Sequence, residues 1–402
     1  MAIVDLTMIE QAAVRLQGVA HRTPLDLSTT FSRLSGREVW LKHENLQKTG
    51  SFKLRGAYNR ILTLSPEDKA KGVIAASAGN HAQGVAYGAS AAGIPATIVM
   101  PEGAPLSKVS ATRSYGARVV LSGISYDEAY QKAKEIQEQT GATFVHAFDD
   151  PEVIAGQGTI GLEILEEIEP EVVVAPIGGG GLVAGLATAI KGRNPRIKVI
   201  GIQAAGAPAM YLSKRAGSWQ EIIQVDTIAD GIAVKKPGQL TFQIINDLVD
   251  EIVTVTDEEI AQAILMLLER GKTIVEGAGA VGVAALLAGK LPFSGRTAIV
   301  LSGGNIDVNM VATIINRGLS KAGRRLRFRT ILVDKPGSLQ KLLELIAGTR
   351  ANVISITHDR TRPTLTYTQA EVILELETQD NQHIGEILAI LQNNHYQVEI
   401  VS

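Results

Sequence analysis

Six short apolar runs rich in β-branched residues, at 73–77, 97–100, 118–122, 172–176, 198–203 and 298–302, recur along this chain, and glycines concentrate where they meet helical stretches. Runs of this kind, without polar alternation, belong to strands buried on both faces. Segments with helical character lie at 126–140, 151–168 and 257–271. The alternation predicts an α/β fold built on open parallel sheets with helices on both faces, and it places ligand chemistry at the carboxyl ends of the strands.

The pattern changes near residue 316. Residues 317–329, RGLSKAGRRLRFR, are basic and interrupted by glycine, and they read as a solvated linker. Beyond them the order is strand (327–333), turn (334–337), helix (338–349), strands (352–360 and 366–377), helix (383–393) and strand (397–401). That is the βαββαβ order of a ferredoxin-like unit. The expected organisation is therefore a domain at 1–320, with a smaller subdomain at roughly 50–155 inserted in it, a linker at 321–326 and a second domain at 327–402.

Composition narrows the chemistry. With 39 basic against 41 acidic residues in 402, no chain-wide positive field draws nucleic acid or anionic lipid. The basic stretch at 317–329 carries Phe328 as its single aromatic, which argues against a stacking surface for bases. The absence of cysteine excludes disulfides, thiolate metal sites and a cysteine nucleophile, and it fits a cytoplasmic protein. Residues 1–10 lack the basic and apolar regions of a signal peptide. No histidine pair has metallohydrolase spacing, so no metal is expected, and no G-x-S-x-G elbow occurs. The GKT at 271–273 lies in a helical stretch without the glycine a phosphate loop needs.

Four segments carry chemistry. Residues 48–57, KTGSFKLRGA, set Lys53 among a glycine turn, two hydroxyls and Phe52; burial would lower its pKa toward a usable amine, although a surface lysine is the plainer alternative. Residues 76–86, ASAGNHAQGVA, follow a strand and open a helix, so backbone N–H groups can meet an anion beside Asn80 and His81. Residues 177–185, IGGGGLVAG, repeat the arrangement with four glycines that make a phosphate-sized nest. No acidic residue ends the next strand to hold a ribose, which favours a lone phosphate over a dinucleotide. Residues 301–307, LSGGNID, put Ser302 at a strand end.

A reactive lysine, a phosphate nest, an anion turn and a strand-end serine together describe pyridoxal 5'-phosphate held as a Schiff base. In order and sequence the four segments resemble the threonine ammonia-lyase (threonine dehydratase) family of fold-type II, tryptophan synthase beta-like pyridoxal-phosphate enzymes, over roughly residues 5–320. The tail, with its DKPGSL turn, resembles an amino-acid-sensing ACT domain. The resemblance implies that Lys53 is catalytic and carries the cofactor, that Phe52 lies beside the ring and Asn80 meets its phenolic oxygen, and that Gly178, Gly179, Gly180, Gly181 and Leu182 hold the phosphate. It further implies that Ser302 faces the pyridine nitrogen, that Glu276 and Gly231 line the ring's other edges, and that Ser77, Gly79, Asn80 and His81 bind substrate.

The implied reaction is β-elimination of L-threonine to 2-oxobutanoate and ammonia, with serine to pyruvate as a side activity, in a homodimer or homotetramer that responds to a branched-chain amino acid at the ACT domain. Serine racemase and serine dehydratase share the scaffold. The racemase needs an acid–base group where this chain has Ala78, and Gln203, Ala207 and Ala209 stand where its metal site would want carboxylates and a carbonyl. A catalytically silent amino-acid sensor on the same fold is the alternative from another class.

Overall fold

The computed structural model describes residues 3–363 and 365–401. In chain order its first strands are β1 (Leu25–Leu27), β2 (Val39–Lys42), β3 (Val73–Ala76), β4 (Ala96–Met100), β5 (Arg118–Leu121), β6 (Thr143–Phe144), β7 (Val172–Pro176), β8 (Lys198–Ala204), β9 (Glu251–Val255) and β10 (Thr297–Val300). They form two sheets, one ordered β1-β2-β10-β7-β8-β9 and a smaller one ordered β5-β4-β3-β6. Every neighbouring pair is parallel except β1 with β2.

The expected two-sided burial holds for the central strands. Every residue of β3, β7 and β10 is buried. In the smaller sheet, Ala75, Ile98 and Met100 join one apolar cluster while Ile74, Ala76 and Val99 join another, so each face has its own core. The run at 118–122 differs. It becomes β5, an edge strand in which Arg118 and Leu121 are exposed, because only β4 flanks it.

Helices connect the strands and fix the lysine segment. The helix Pro151–Glu167 starts where Asp150 accepts hydrogen bonds from the backbone N–H groups of Glu152 and Val153, with proline in its first turn. It crosses the helix Lys53–Leu62 where two glycines meet: a Cβ on Gly156 would lie 2.8 Å from the Cα of Gly56. That close approach holds Lys53, the first residue of its helix, against the larger sheet's helical layer. Residues 271–273 do not continue the helix Asp257–Glu269 as the sequence implied; they follow its end, and Lys272 takes a φ of 54°.

The chain divides into two compact units after Asp307. The second opens with the helix Val308–Lys321 and continues as β11 (Arg325–Val333), the helix Ser338–Gly348, β12 (Asn352–Asp359), β13 (Gln369–Glu377), the helix Asn381–Asn393 and β14 (Val398–Ile400). Its antiparallel sheet runs β12-β13-β11-β14, the strand order of the ferredoxin-like unit read from sequence. Leu326, Phe328, Leu332, Val372, Leu374 and Leu376 meet Leu342, Ile346, Ile387 and Leu391 of its helices in one core. Residues 317–329, read as a solvated linker, instead end one helix and begin β11, with Leu326 and Phe328 buried. Among the described residues no helix is long and apolar enough to cross a membrane.

Candidate active site

The carboxyl ends of β3, β7 and β10 deliver the segments containing Ser77, Gly178 and Ser302, as expected of an open α/β sheet. Lys53 donates from Nζ to the carbonyl of Ala147 at 2.9 Å and lies 5.2 Å from the centre of the Phe52 ring. Burial lowers its pKa to about 8, with the Glu276 carboxyl acting in the opposite direction. Lys53 therefore gives up its proton more readily than an ordinary lysine.

The residue after Ala147 links this amine to the glycine nest. Phe148 packs its ring against Gly179, and its Cα lies 2.9 Å from where a Cβ of Gly181 would stand. Gly180 has a φ of 103°, a conformation L side chains rarely adopt, and it is the cap of the helix Gly181–Arg193. Thr241 donates from Oγ1 to the carbonyl of Gly179 at 2.6 Å, and Asp149 accepts from the backbone N–H groups of Gln239 and Thr241. The nest is thus fastened from behind, and its first-turn N–H groups lack helical partners. Leu182 turns its side chain into the hydrophobic core, so only its backbone is available to a phosphate.

Asn80 opens the helix Asn80–Ala91 and donates from Nδ2 to Glu276 Oε1 at 2.7 Å. Burial raises the Glu276 pKa to about 7, while the hydrogen bond from Asn80 works against that rise. Gly231 lies beside the same carboxyl: its Cβ would stand 3.3 Å from Oε1. Ser302 is 2% exposed, and its carbonyl accepts from the Phe52 N–H at 3.1 Å, which ties the serine loop to the lysine segment.

The anion turn differs in detail from what the motif implied. His81 Nε2 lies 2.8 Å from the carbonyl of Val145, so this nitrogen carries the hydrogen and Nδ1 is left as an acceptor. Burial and then the charge of Lys53 push the imidazole down to about 3, so it is neutral at physiological pH. Its side chain cannot donate to a carboxylate; its backbone N–H, in the first turn of the helix, can. Ser77 Oγ accepts from the Gly79 N–H at 3.2 Å.

Several site residues are not marked in the sequence. Ala147, Phe148, Asp149 and Thr241 lie in segments with no glycine run or unusual composition. Asn305, in contrast, stands inside the segment 301–307, and it donates to both Asn80 Oδ1 and the Thr49 carbonyl. Arg55, two residues beyond Lys53, is 1% exposed and forms a buried cluster with Glu44, Glu163 and Lys42.

An enclosed amine, a nest of N–H groups at a helix start and a hydroxyl at a strand end suit the aldehyde, phosphate and pyridine nitrogen of pyridoxal phosphate in turn. The fold and this donor set define a fold-type II pyridoxal-phosphate enzyme. The pyridoxal-phosphate dependent enzyme family matches residues 16–303, and the chain belongs to that family. An L-threonine ammonia-lyase of Thermotoga maritima is 55% identical over 401 residues, covering 99% of this chain and 100% of the relative. Among solved structures, the processed form of threonine deaminase isoform 2 from Solanum lycopersicum is 40% identical with a TM-score of 0.73, covering 78% of this chain and 88% of that one. Maize serine racemase is 38% identical with a TM-score of 0.75, covering 79% and 99%.

Proposed function

We propose that this chain deaminates L-threonine to 2-oxobutanoate and ammonia by β-elimination, and L-serine to pyruvate as a side activity. The observation that carries the reading is the enclosed Lys53 amine, joined through Ala147 and Phe148 to the glycine nest. The full-length likeness to an L-threonine ammonia-lyase supports threonine as the substrate.

When bound, pyridoxal phosphate supplies an electron sink for charge that develops at the substrate Cα. The chain's residues do the rest. Gly178 to Leu182 would hold the phosphate through backbone N–H groups, and Phe52 and Gly231 would flank the ring. The backbone N–H groups of Asn80 and His81 and the Ser77 hydroxyl, whose oxygen accepts from the Gly79 N–H, would hold the substrate carboxylate and so set Cα beside Lys53. Lys53 Nζ, whose lowered pKa leaves a usable neutral fraction, accepts the Cα proton. The Cβ–O bond then breaks, so that the Cα proton and the β-hydroxyl are lost together as one water, and the released enamine is hydrolysed to the keto acid and ammonium. Ser302 would meet the pyridine nitrogen with a hydroxyl, which does not enforce a full positive charge there as a carboxylate would. Weaker electron withdrawal favours elimination over transamination.

Racemisation needs a second proton carrier on the face opposite Lys53, and Ala78 supplies none. The reading includes a cytoplasmic homodimer or homotetramer in which the C-terminal unit, comparable to an ACT domain, binds a branched-chain amino acid and alters threonine saturation. Steady-state assays of the purified protein test the substrate: 2-oxobutanoate from threonine should form with a higher kcat/KM than pyruvate from serine. A preference for serine, or formation of D-amino acids at a comparable rate, would overturn the assignment.

A further inference from the structure

We infer that Asn305 is a positioning residue that fixes which end of the Asn80 side chain faces the cofactor site and ties that choice to the turn ahead of Lys53. The inference rests on the reading that pyridoxal phosphate is bound at Lys53.

Asn305 Nδ2 donates to the Thr49 carbonyl at 2.9 Å and to Asn80 Oδ1 at 2.7 Å. A side-chain NH2 group has two hydrogens, so both are committed. With Oδ1 of Asn80 occupied, its own Nδ2 is directed to Glu276 Oε1 at 2.7 Å. Turning Asn80 over would set its NH2 against that of Asn305 and its oxygen against the Glu276 carboxyl, two mismatches at once. The donor that the site presents at Asn80 is therefore set by a residue outside the sheet that carries Asn80.

The remaining contacts show why the position is suited to this role. The segment 302–304 is already joined to the lysine segment by backbone: Phe52 N–H donates to the Ser302 carbonyl, Gly304 N–H donates to the Gly50 carbonyl, and Ser51 forms an isolated bridge with Gly303. Gly50, at a φ of 72°, leaves the space in which the Asn305 amide sits. Among the described residues no backbone–backbone hydrogen bond joins the segment 302–304 to the helix Asn80–Ala91, which follows β3 of the smaller sheet, whereas Asn305 follows β10 of the larger one. Asn305 joins the lysine, anion-turn and serine segments through one amide. Asn305 and Asn80 are only partly buried, so the two sheets' cores do not depend on them.

The sharpest variant is Asn305→Asp, which keeps the shape but replaces the NH2 donor by an acceptor. Asn80 then meets one mismatch in either orientation, its oxygen against the new carboxylate as it stands or against Glu276 when turned over, so its N–H donor is no longer fixed toward the site. Three quantities should be measured on the full chain: the visible absorbance of bound cofactor, the cofactor dissociation constant from titration of cofactor-free protein, and the melting temperature of cofactor-free protein. Asn305→Asp should weaken cofactor binding about tenfold, the loss expected for one well-made hydrogen bond to a charged or buried partner. It should also move the absorbance maximum, with little change in the melting temperature of the cofactor-free protein.

Asn305→Ala removes both hydrogen bonds without adding charge and decides the matter if the aspartate variant does not fold. The cycle with Asn80→Ala separates positioning from support. If Asn305 acts through Asn80, a substitution at 305 changes cofactor affinity less than twofold once Asn80 is alanine. Additive effects in the cycle, or a lowered melting temperature with unchanged absorbance and affinity, would overturn the inference. A wild-type protein that takes up no cofactor would overturn the reading beneath it instead.

Discussion

Lys53 occupies a place that opposes its own charge, and this has a consequence for stability before any cofactor binds. Burial lowers its pKa to about 8 against an ordinary 10.5. Below pH 8 the folded and unfolded chains both hold the proton and the full penalty is present. Between pH 8 and 10.5 the folded lysine is neutral while the unfolded one is still protonated, so the penalty fades as pH rises. Lys53→Met should therefore stabilise the cofactor-free protein at pH 7 by up to about 3 kcal/mol, and the gain should shrink toward pH 10.5. Urea titrations at pH 7 and pH 10 check this; a gain independent of pH would contradict it. A second residue-scale prediction concerns Ala78. Placing a hydroxyl there, Ala78→Ser, should raise D-amino-acid formation above the wild-type trace in chiral chromatography of serine incubations, and substantial racemisation by the wild type would contradict the reading. The residues legible in the sequence are those in composition-marked segments: Lys53, Asn80, the four glycines and Ser302. Phe148 is not legible because a phenylalanine in a loop looks like ordinary packing, and its position over Gly179 depends on two segments about thirty residues apart. The His81 side chain suggests the wrong partner because Val145 comes within reach only through folding.

At the scale of elements, the helix Lys53–Leu62 is anchored by charge as well as by its glycine crossing. Arg55 donates to Glu44 at 2.8 and 2.9 Å and to Glu163 at 2.5 and 2.9 Å, while Lys42 Nζ lies 2.6 Å from Glu163 Oε2. Burial works against the Arg55 charge, but Glu44 and Glu163 raise its pKa overall, so the guanidinium stays charged. Arg55→Met leaves the buried Glu44 and the part-buried Glu163 facing one lysine, and it should cost about 3–5 kcal/mol of stability, read as a lower urea midpoint. A change below about 1 kcal/mol would show that the cluster contributes little to anchoring the helix. The same cluster explains a strand that is not legible. β2 reads VWLK, and a lysine weakens any expectation of a buried strand, yet Lys42 is fully buried because Glu163 and the Thr23 carbonyl meet it. β1 and β6, of three and two residues, are too short to produce a pattern, and β9, an edge strand flanked only by β8, buries Ile252 and Val255 without a regular alternation. The runs that form β3, β7 and β10 are legible because both their faces are apolar.

Over the whole molecule, the βαββαβ order of the tail is readable from alternating strands and two amphipathic helices, and its sheet order follows that plan. The start of the second unit is not readable, since glycine and arginine at 317–324 look like a linker although the helix runs on to Lys321. If this unit binds an effector, the effector must favour one conformational state, and couplings of about 1–3 kcal/mol correspond to roughly 5- to 150-fold affinity changes. Isoleucine, ahead of valine, should shift the threonine saturation curve of the full chain, and a chain ending at Leu319 should keep turnover while losing the shift. Calorimetry that detects no amino-acid binding outside the active site, or a response that survives truncation, would contradict this regulatory reading. The central claim is narrower: one amine, Lys53, holds the cofactor and moves the substrate proton. Its most direct measurement pairs the visible spectrum with threonine turnover for wild type and Lys53→Ala, each reconstituted with pyridoxal phosphate. The wild type should show a visible band and release 2-oxobutanoate, and the variant should lose both; a variant that kept the band and the turnover would contradict the claim.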